Sequence, residues 1–258
     1  MKKHRLSWNH SSEIEVDPNG GYLKRWQIKD RPVNQPVDIL YQGTELKRTG
    51  IPLLFPNWGD SGTKLRKHGF GRDSRWSTTL LKGKNRIVMT LDSKDLPKPI
   101  RQEYDYDFKT EVSFSLKKNQ LLYCLSVENT GLKNMPISPG LHPYWAINHK
   151  DKTKVKTTIP GFSPNDFDWD NSPPDNTYLF PGKTEISFPE IKITIEDITP
   201  QPVVKYMVVW SQPINKPDFN FICFEPICGQ AGSISQKNIV VKPLEKWRMK
   251  LKFEVDLL

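Results

Sequence analysis

From Trp247 to Val255 the chain alternates without a break. Trp247, Met249, Leu251, Phe253 and Val255 are apolar, while Arg248, Lys250, Lys252 and Glu254 are charged. Successive side chains of a strand point to opposite faces, so this pattern predicts a strand with one buried and one wet face. The same period of two sets Ile191, Ile193 and Ile195 against Lys192, Thr194 and Glu196, and Val112, Phe114 and Leu116 against Ser113 and Ser115. It resumes at Leu121, Tyr123, Leu125 and Val127 after Lys118-Asn119-Gln120, which predicts an antiparallel hairpin. Further strands are expected over 13–16, 22–28, 86–91, 204–210 and 219–224. Helical periodicity is nearly absent, because 22 prolines and 15 glycines interrupt almost every window long enough for three helical turns. Many strands separated by turns imply sheets packed on sheets, an all-β fold in the form of a large antiparallel β-sandwich. No composition shift divides the chain, so residues 1–258 are expected to form one domain. The stretch 161–181 is rich in Pro, Asp and Asn, yet it carries Phe162, Phe167, Trp169, Tyr178 and Phe180. That aromatic content predicts a long ordered loop closing one end of the sandwich rather than a linker.

Composition narrows the class of partner. The aromatic residues (12 Phe, 8 Trp, 8 Tyr) suit a packed core and exclude a disordered chain. The net charge of +9 is spread along the sequence, and in the last strand the cations occupy its wet face. No zinc-finger spacing, helix-turn-helix pattern or basic low-complexity arm accompanies it, so a small anionic ligand is the better expectation than a nucleic acid. No run approaches the roughly 18–20 apolar residues of a membrane span, and the basic start at Lys2 to Arg5 lacks the apolar stretch of a signal peptide. Cys124, Cys223 and Cys228 cannot all pair within the chain and fall on strand-like segments. A reducing, cytoplasmic location is therefore expected, and their spacing gives little case for a zinc site.

Three segments can carry chemistry. Residues 48–76 place Arg48, Lys67, His68, Arg72 and Arg75 among glycines that leave room for a ligand, without either nucleotide-type glycine pattern. In His142-Pro143-Tyr144 the proline pushes the preceding residue towards extended geometry, which fixes the direction of the imidazole. Glu225 closes the apolar run Phe221-Ile222-Cys223-Phe224, where a carboxylate is costly without partners. His149 lies in a polar run and reads as surface. Taken singly, each of His68, His142 and Glu225 also has a credible structural explanation, and for a lone Glu after a strand it is the commoner one. Together they make proton transfer the first chemistry to test.

In order along the chain stand Arg48-x-Gly-Ile-Pro-x-x-Phe-Pro-x-x-Gly59, His68-Gly-Phe-Gly-Arg72-x-Ser-x-Trp76, His142-Pro-Tyr-Trp145 and Cys223-Phe-Glu225-Pro226. These four motifs resemble the aldose 1-epimerase (galactose mutarotase-like) superfamily, and in detail its hexose-6-phosphate 1-epimerase branch. The resemblance implies a β-supersandwich with a sugar cleft on a concave sheet, and interconversion of the α and β anomers at C1. It implies Glu225 as the base that takes the C1 hydroxyl proton, His142 as the acid on the ring oxygen, and His68 as a second imidazole that polarises that oxygen. Arg72 and Arg48 match family arginines, and with Lys67 they are the groups expected to hold a phosphate. Asp168 is the candidate for the family's substrate-binding Asp, and Trp145, or Trp169, for a ring stacked on the sugar. The partner is then a sugar or sugar phosphate, acted on by a monomer or weak homodimer with no metal and no cofactor. Ring opening through a neutral aldehyde requires only that one proton leave O1 and another reach O5, by an acid and a base expected on opposite sides of the pyranose. The family's Pro-Gly-Glu turn appears here as Pro243-Leu244-Glu245. The competing reading is a carbohydrate-binding protein of the same fold that has lost turnover.

Overall fold

The strictest alternation becomes the longest strand. In the computed structural model, which describes residues 3–29, 36–44, 49–81 and 85–258, Lys246–Leu257 pairs antiparallel with Gln120–Asn129 on one side and Ile191–Asp197 on the other. Met249, Leu251, Phe253 and Val255 are buried, as the pattern requires. Gln120–Asn129 also pairs with Phe108–Lys117 as the expected hairpin, with Lys118 in left-handed geometry at its tip. Arg86–Asp92 and Ser77–Leu81 extend this sheet at one edge, Lys183–Ser187 and Lys156–Thr157 at the other, to eight strands among the described residues.

A second sheet lies across the core. Its order is Asp175–Leu179, Tyr206–Trp210, Phe221–Ile227, Gly140–Leu141 and Leu53–Leu54, with Tyr144–Ala146 also paired to Phe221–Ile227. Trp145 meets Phe253 of the first sheet at 6.0 Å between ring centres, and Phe224 meets Phe188 at 6.4 Å, so the apolar layer between the sheets is the core. His4–Trp8, Ser12–Asp17, Tyr22–Ile28 and Val37–Asp38 form a smaller sheet whose Leu6, Ile14, Val16 and Trp26 join the same layer. This is the galactose mutarotase-like β-sandwich that the sequence resemblance implied. No helix among the described residues is long and apolar enough to cross a membrane.

Two expectations change. The stretch 161–181 is not all loop: Asp175–Leu179 forms an edge strand against Tyr206–Trp210. Pro173-Pro174 and the Asp/Asn content hide it, although proline just before an edge strand costs no ladder bond. The run that begins near Phe219 continues through Pro226 to Ile227, so Glu225 sits inside a strand rather than after it. At Pro243-Leu244-Glu245 the turn keeps glycine's geometry without glycine: Leu244 has φ +63° and an exposed side chain.

The aromatic stretch packs over a buried cation. Lys152 is fully buried; its ammonium donates to Ser211 Oγ at 2.8 Å and stands 5.4 Å from the centre of a Trp169 ring. Burial pushes its pKa down to about 8 from 10.5. The unfolded chain therefore holds more protons between those values, and the stability contribution of this group rises with pH across that window. At neutral pH the shift corresponds to about 3 kcal/mol of lost stability, at about 1.4 kcal/mol per unit. Replacing Lys152 by Met is expected to stabilise the fold at pH 7 by about 1 kcal/mol or more after loss of the Ser211 and Trp169 contacts. Urea unfolding at neutral and alkaline pH should show that gain shrinking as pH rises; a destabilised K152M at pH 7 would contradict it.

Candidate active site

The two faces of the second sheet divide the work. Along Phe221–Ile227, Ile222 and Phe224 enter the core, whereas Phe221, Cys223 and Glu225 point to the opposite face. Register places Tyr144, Cys223, Trp210 and Asp175 side by side across four strands, with Glu225 opposite Val208 in the next row. Over these rows lies a cleft of about 560 Å³, within the usual size of small-molecule sites. It is lined by Trp58, Lys67, His68, Arg72, His142, Tyr144, Asp175, Trp210 and Glu225, with Gly59, Asp60, Val208 and Ala231.

His68 is delivered by a strained turn. His68 and Gly69 are both left-handed, at φ +66° and +65°. A Cβ on Gly69 would lie 2.1 Å from the Phe55 carbonyl oxygen, which already accepts the amides of Phe70 and Gly71 at 2.8 and 2.9 Å. Only glycine fits there, and a non-glycine residue at φ +66° is the sort of strain that a functional site retains. The His68 amide donates to Gly59 O at 2.9 Å, and the Gly59 amide donates back to His68 Nδ1 at 3.1 Å. Nδ1 is thus an acceptor, and the ring proton is on Nε2.

His142 stands between the short strands Gly140–Leu141 and Tyr144–Ala146, its amide bonded to Pro52 O at 3.0 Å. Its ring stacks on Tyr144, 4.5 Å between centres and 9° between planes, and meets the edge of Trp210 at 5.5 Å. His68 lies 6.0 Å from it, ring centre to ring centre. His142 Nε2 is 3.2 Å from Glu225 Oε1, with both side chains less than a tenth exposed, and Trp58 Nε1–H donates to Glu225 Oε2 at 3.3 Å. Burial drives the Glu225 pKa up to about 8; the Trp58 donor, Arg72 and Lys67 oppose this, and Asp175 reinforces it. Burial, then the neighbouring His68, Arg72 and Lys67, holds His142 well below the usual imidazole value. A carboxyl raised and an imidazole lowered, in contact, share one proton at neutral pH.

His68, His142, Glu225, Arg72 and Lys67 thus converge on one cleft, while Arg48 lies outside the described residues. Trp145 does not join them. Strand alternation turns Tyr144 to the cleft and buries Trp145 in the core. Nor does Asp168, which is exposed in the loop and accepts from the amides of Asp170 and Asn171 and from the Asn171 side chain. Asp175 and Asp60 are the aspartates that reach the cleft, and Trp58, Tyr144 and Trp210 supply its aromatic walls. Sequence reasoning passed over Asp175 because its strand was hidden; its alternation with Thr177 was the available signal. His142 and Glu225, expected on opposite sides of a bound ring, stand together on one side of the cleft.

The two packed sheets, with the cleft over the outer face of the six-stranded one, have the galactose mutarotase-like β-sandwich fold. The chain belongs to the aldose 1-epimerase family, whose model matches residues 2–177. No curated protein sequence matches the chain. Among solved structures it is similar to the Slr1438 protein from Synechocystis, at 21% identity and TM-score 0.82, covering 100% of this chain and 96% of that one. A galactose mutarotase related enzyme from Lactobacillus acidophilus aligns at 18% identity and TM-score 0.79, covering 99% and 97%. A galactose mutarotase-like protein from Lactobacillus casei aligns at 19% identity and TM-score 0.75, covering 99% and 100%. The family supports an aldose epimerase activity, an isomerase acting on sugars.

Proposed function

We propose that the protein interconverts the α and β anomers of a hexose by acid/base ring opening, acting as a single domain. The observation that carries this reading is the 3.2 Å contact of His142 and Glu225 on the floor of the cleft, with His68 beside them. Opening starts with Glu225 ionised and His142 protonated. Glu225 takes the O1 proton, His142 gives its proton to O5, the C1–O5 bond breaks, and the aldehyde rotates about C1–C2. Closure on the other face returns both protons. The resting pair, with a raised carboxyl and a lowered imidazole, favours the distribution left after opening. A bound sugar reverses that bias, because its O1–H adds a donor to the carboxylate and O5 adds an acceptor for the imidazolium. His68 Nε2–H is positioned to donate to the ring oxygen, and Asp175 and Arg72 to hold hydroxyls.

Lys67 and Arg72 line the cleft beside His68, which supports a hexose 6-phosphate as the finer substrate alongside a free hexose. Exchange NMR of glucose, galactose and glucose 6-phosphate tests both points. Exchange no faster than buffer across the panel would refute the enzyme, and saturable binding without exchange would establish the carbohydrate-binding alternative. A kcat/KM for the phosphate at least tenfold above that for glucose would establish the phosphate preference. Two substitutions should shift the pH profile in opposite directions. Trp58→Phe removes a donor to Glu225 and should raise the alkaline limb, whereas Asp175→Asn removes a neighbouring negative charge and should lower it. Limbs that move together would show that neither residue tunes Glu225.

A further inference from the structure

One buried side chain beneath the cleft has no part in that reaction. Cys223 is two residues before Glu225 on the same strand face, fully buried, with Tyr144 and Trp210 as its cross-strand neighbours. One ligand atom each from Cys223, Glu225 and His142 lie within 4.8 Å of one another. Among the described residues no other set of three His, Cys, Asp or Glu side chains converges in this way. We infer that His142, Cys223 and Glu225 form a binding site for a soft divalent cation such as Zn²⁺, and that a bound cation stops anomer exchange.

The donor set is the first argument. Thiolate, imidazole and carboxylate are the ligands zinc selects, at about 2.0–2.3 Å, and three protein ligands with a fourth position open are the arrangement of accessible zinc sites. The His142–Glu225 separation of 3.2 Å already suits two ligands of one tetrahedral ion. Bringing all three atoms onto one ion needs side-chain adjustments of about 1 Å, within reach of rotation about the χ angles. A fourth position is left for water.

Charge balance is the second. To coordinate, Cys223 must be a thiolate, Glu225 a carboxylate and His142 a neutral imidazole. The product is a divalent ion with one thiolate, one carboxylate and a neutral imidazole, which sums to zero. A neutral cluster is what a buried site tolerates. Lys67 and Arg72 on the cleft wall oppose any cation, and so set the affinity below that of a closed four-ligand zinc site. The same ligation removes the lone pairs and the proton that ring opening uses, so binding and exchange are mutually exclusive. This inhibitory consequence, unlike the site itself, rests on the proposed function.

Cobalt(II) gives a readout independent of turnover. Titrating Co²⁺ into the purified protein should produce a near-ultraviolet thiolate-to-cobalt charge-transfer band. The band should vanish in Cys223→Ser, persist in Cys124→Ser, and need at least tenfold more Co²⁺ in Glu225→Gln. No band in the wild type, or an undiminished band in Cys223→Ser, would overturn the site. In the exchange assay Zn²⁺ should inhibit competitively with sugar and be reversed by a chelator, and Cys223→Ser should keep basal exchange while its sensitivity falls at least tenfold. An active enzyme without the band defeats the metal site alone. A band in a protein that shows no exchange defeats the proposed function alone.

Discussion

Glu225→Gln should lose about 10²–10⁴-fold in kcat/KM for anomer exchange, the usual contribution of a positioned general base. Its stability should not fall. Gln keeps the shape of the side chain, and its carbonyl still accepts from Trp58 Nε1–H. What it loses is the ability to hold a proton from O1. The wild-type carboxyl has a folded pKa of about 8 against an ordinary 4.5, so the native state binds the extra proton between those values. Stability from this group is present below 4.5 and is lost as pH rises towards 8. The variant has no such loss, so its advantage over wild type in urea unfolding should grow across that window. Exchange within threefold of wild type would remove Glu225 from the mechanism, and a stability that falls at neutral pH would contradict its buried, protonated state.

The second large effect is on the pH profile. Exchange requires one proton on the His142–Glu225 pair: two leave no base and none leaves no acid. Glu225 sets the loss of that proton near 8, and His142 sets the gain of a second well below 6.5. For the free enzyme kcat/KM should therefore be flat between, falling on the alkaline side near 8 and on the acid side only below the ordinary histidine range. Replacing His142 by Asn should cost about as much as Glu225→Gln. The double variant should be no worse than the poorer single by more than about tenfold, because the two residues act as a unit. A profile that rises through 6.5, as for an ordinary imidazole base, would refute the shared-proton arrangement.

Much of this was legible in the sequence where one local rule operates at a time. Strict alternation placed the strands at Ile191–Asp197 and Lys246–Leu257, and Gly69 marked the turn that delivers His68. The legible part ended where a side chain's place depends on pairing. Trp145 and Tyr144 look equally suited to a sugar, and only the register against Cys223 and Ile222 settles which of them faces the cleft. Asp168 and Asp175 lie in one polar stretch, and only the edge pairing to Tyr206–Trp210 lifts Asp175 to the site. Trp58 sits in the glycine-rich stretch 48–76, and its indole reaches Glu225, distant in sequence, only through the fold.

The row formed by Tyr144, Cys223, Trp210 and Asp175 also constrains how the protein comes into being. Its members arrive from four stretches of chain, and the Glu225 beside them follows all but Cys223 by many residues. Asp175 can meet Trp210 earlier, but the ladders that bring Tyr144 and Trp210 to Cys223 cannot close until Phe221–Ile227 has been made and docked, and non-local pairings of this kind form slowly. On the ribosome the His68 turn and the Phe108–Asn129 hairpin can exist early, yet no nascent chain that stops short of this strand holds a site. Recovery of catalysis during refolding should therefore lag the recovery of β-sheet signal. Anomer exchange would then time the docking of Phe221–Ile227.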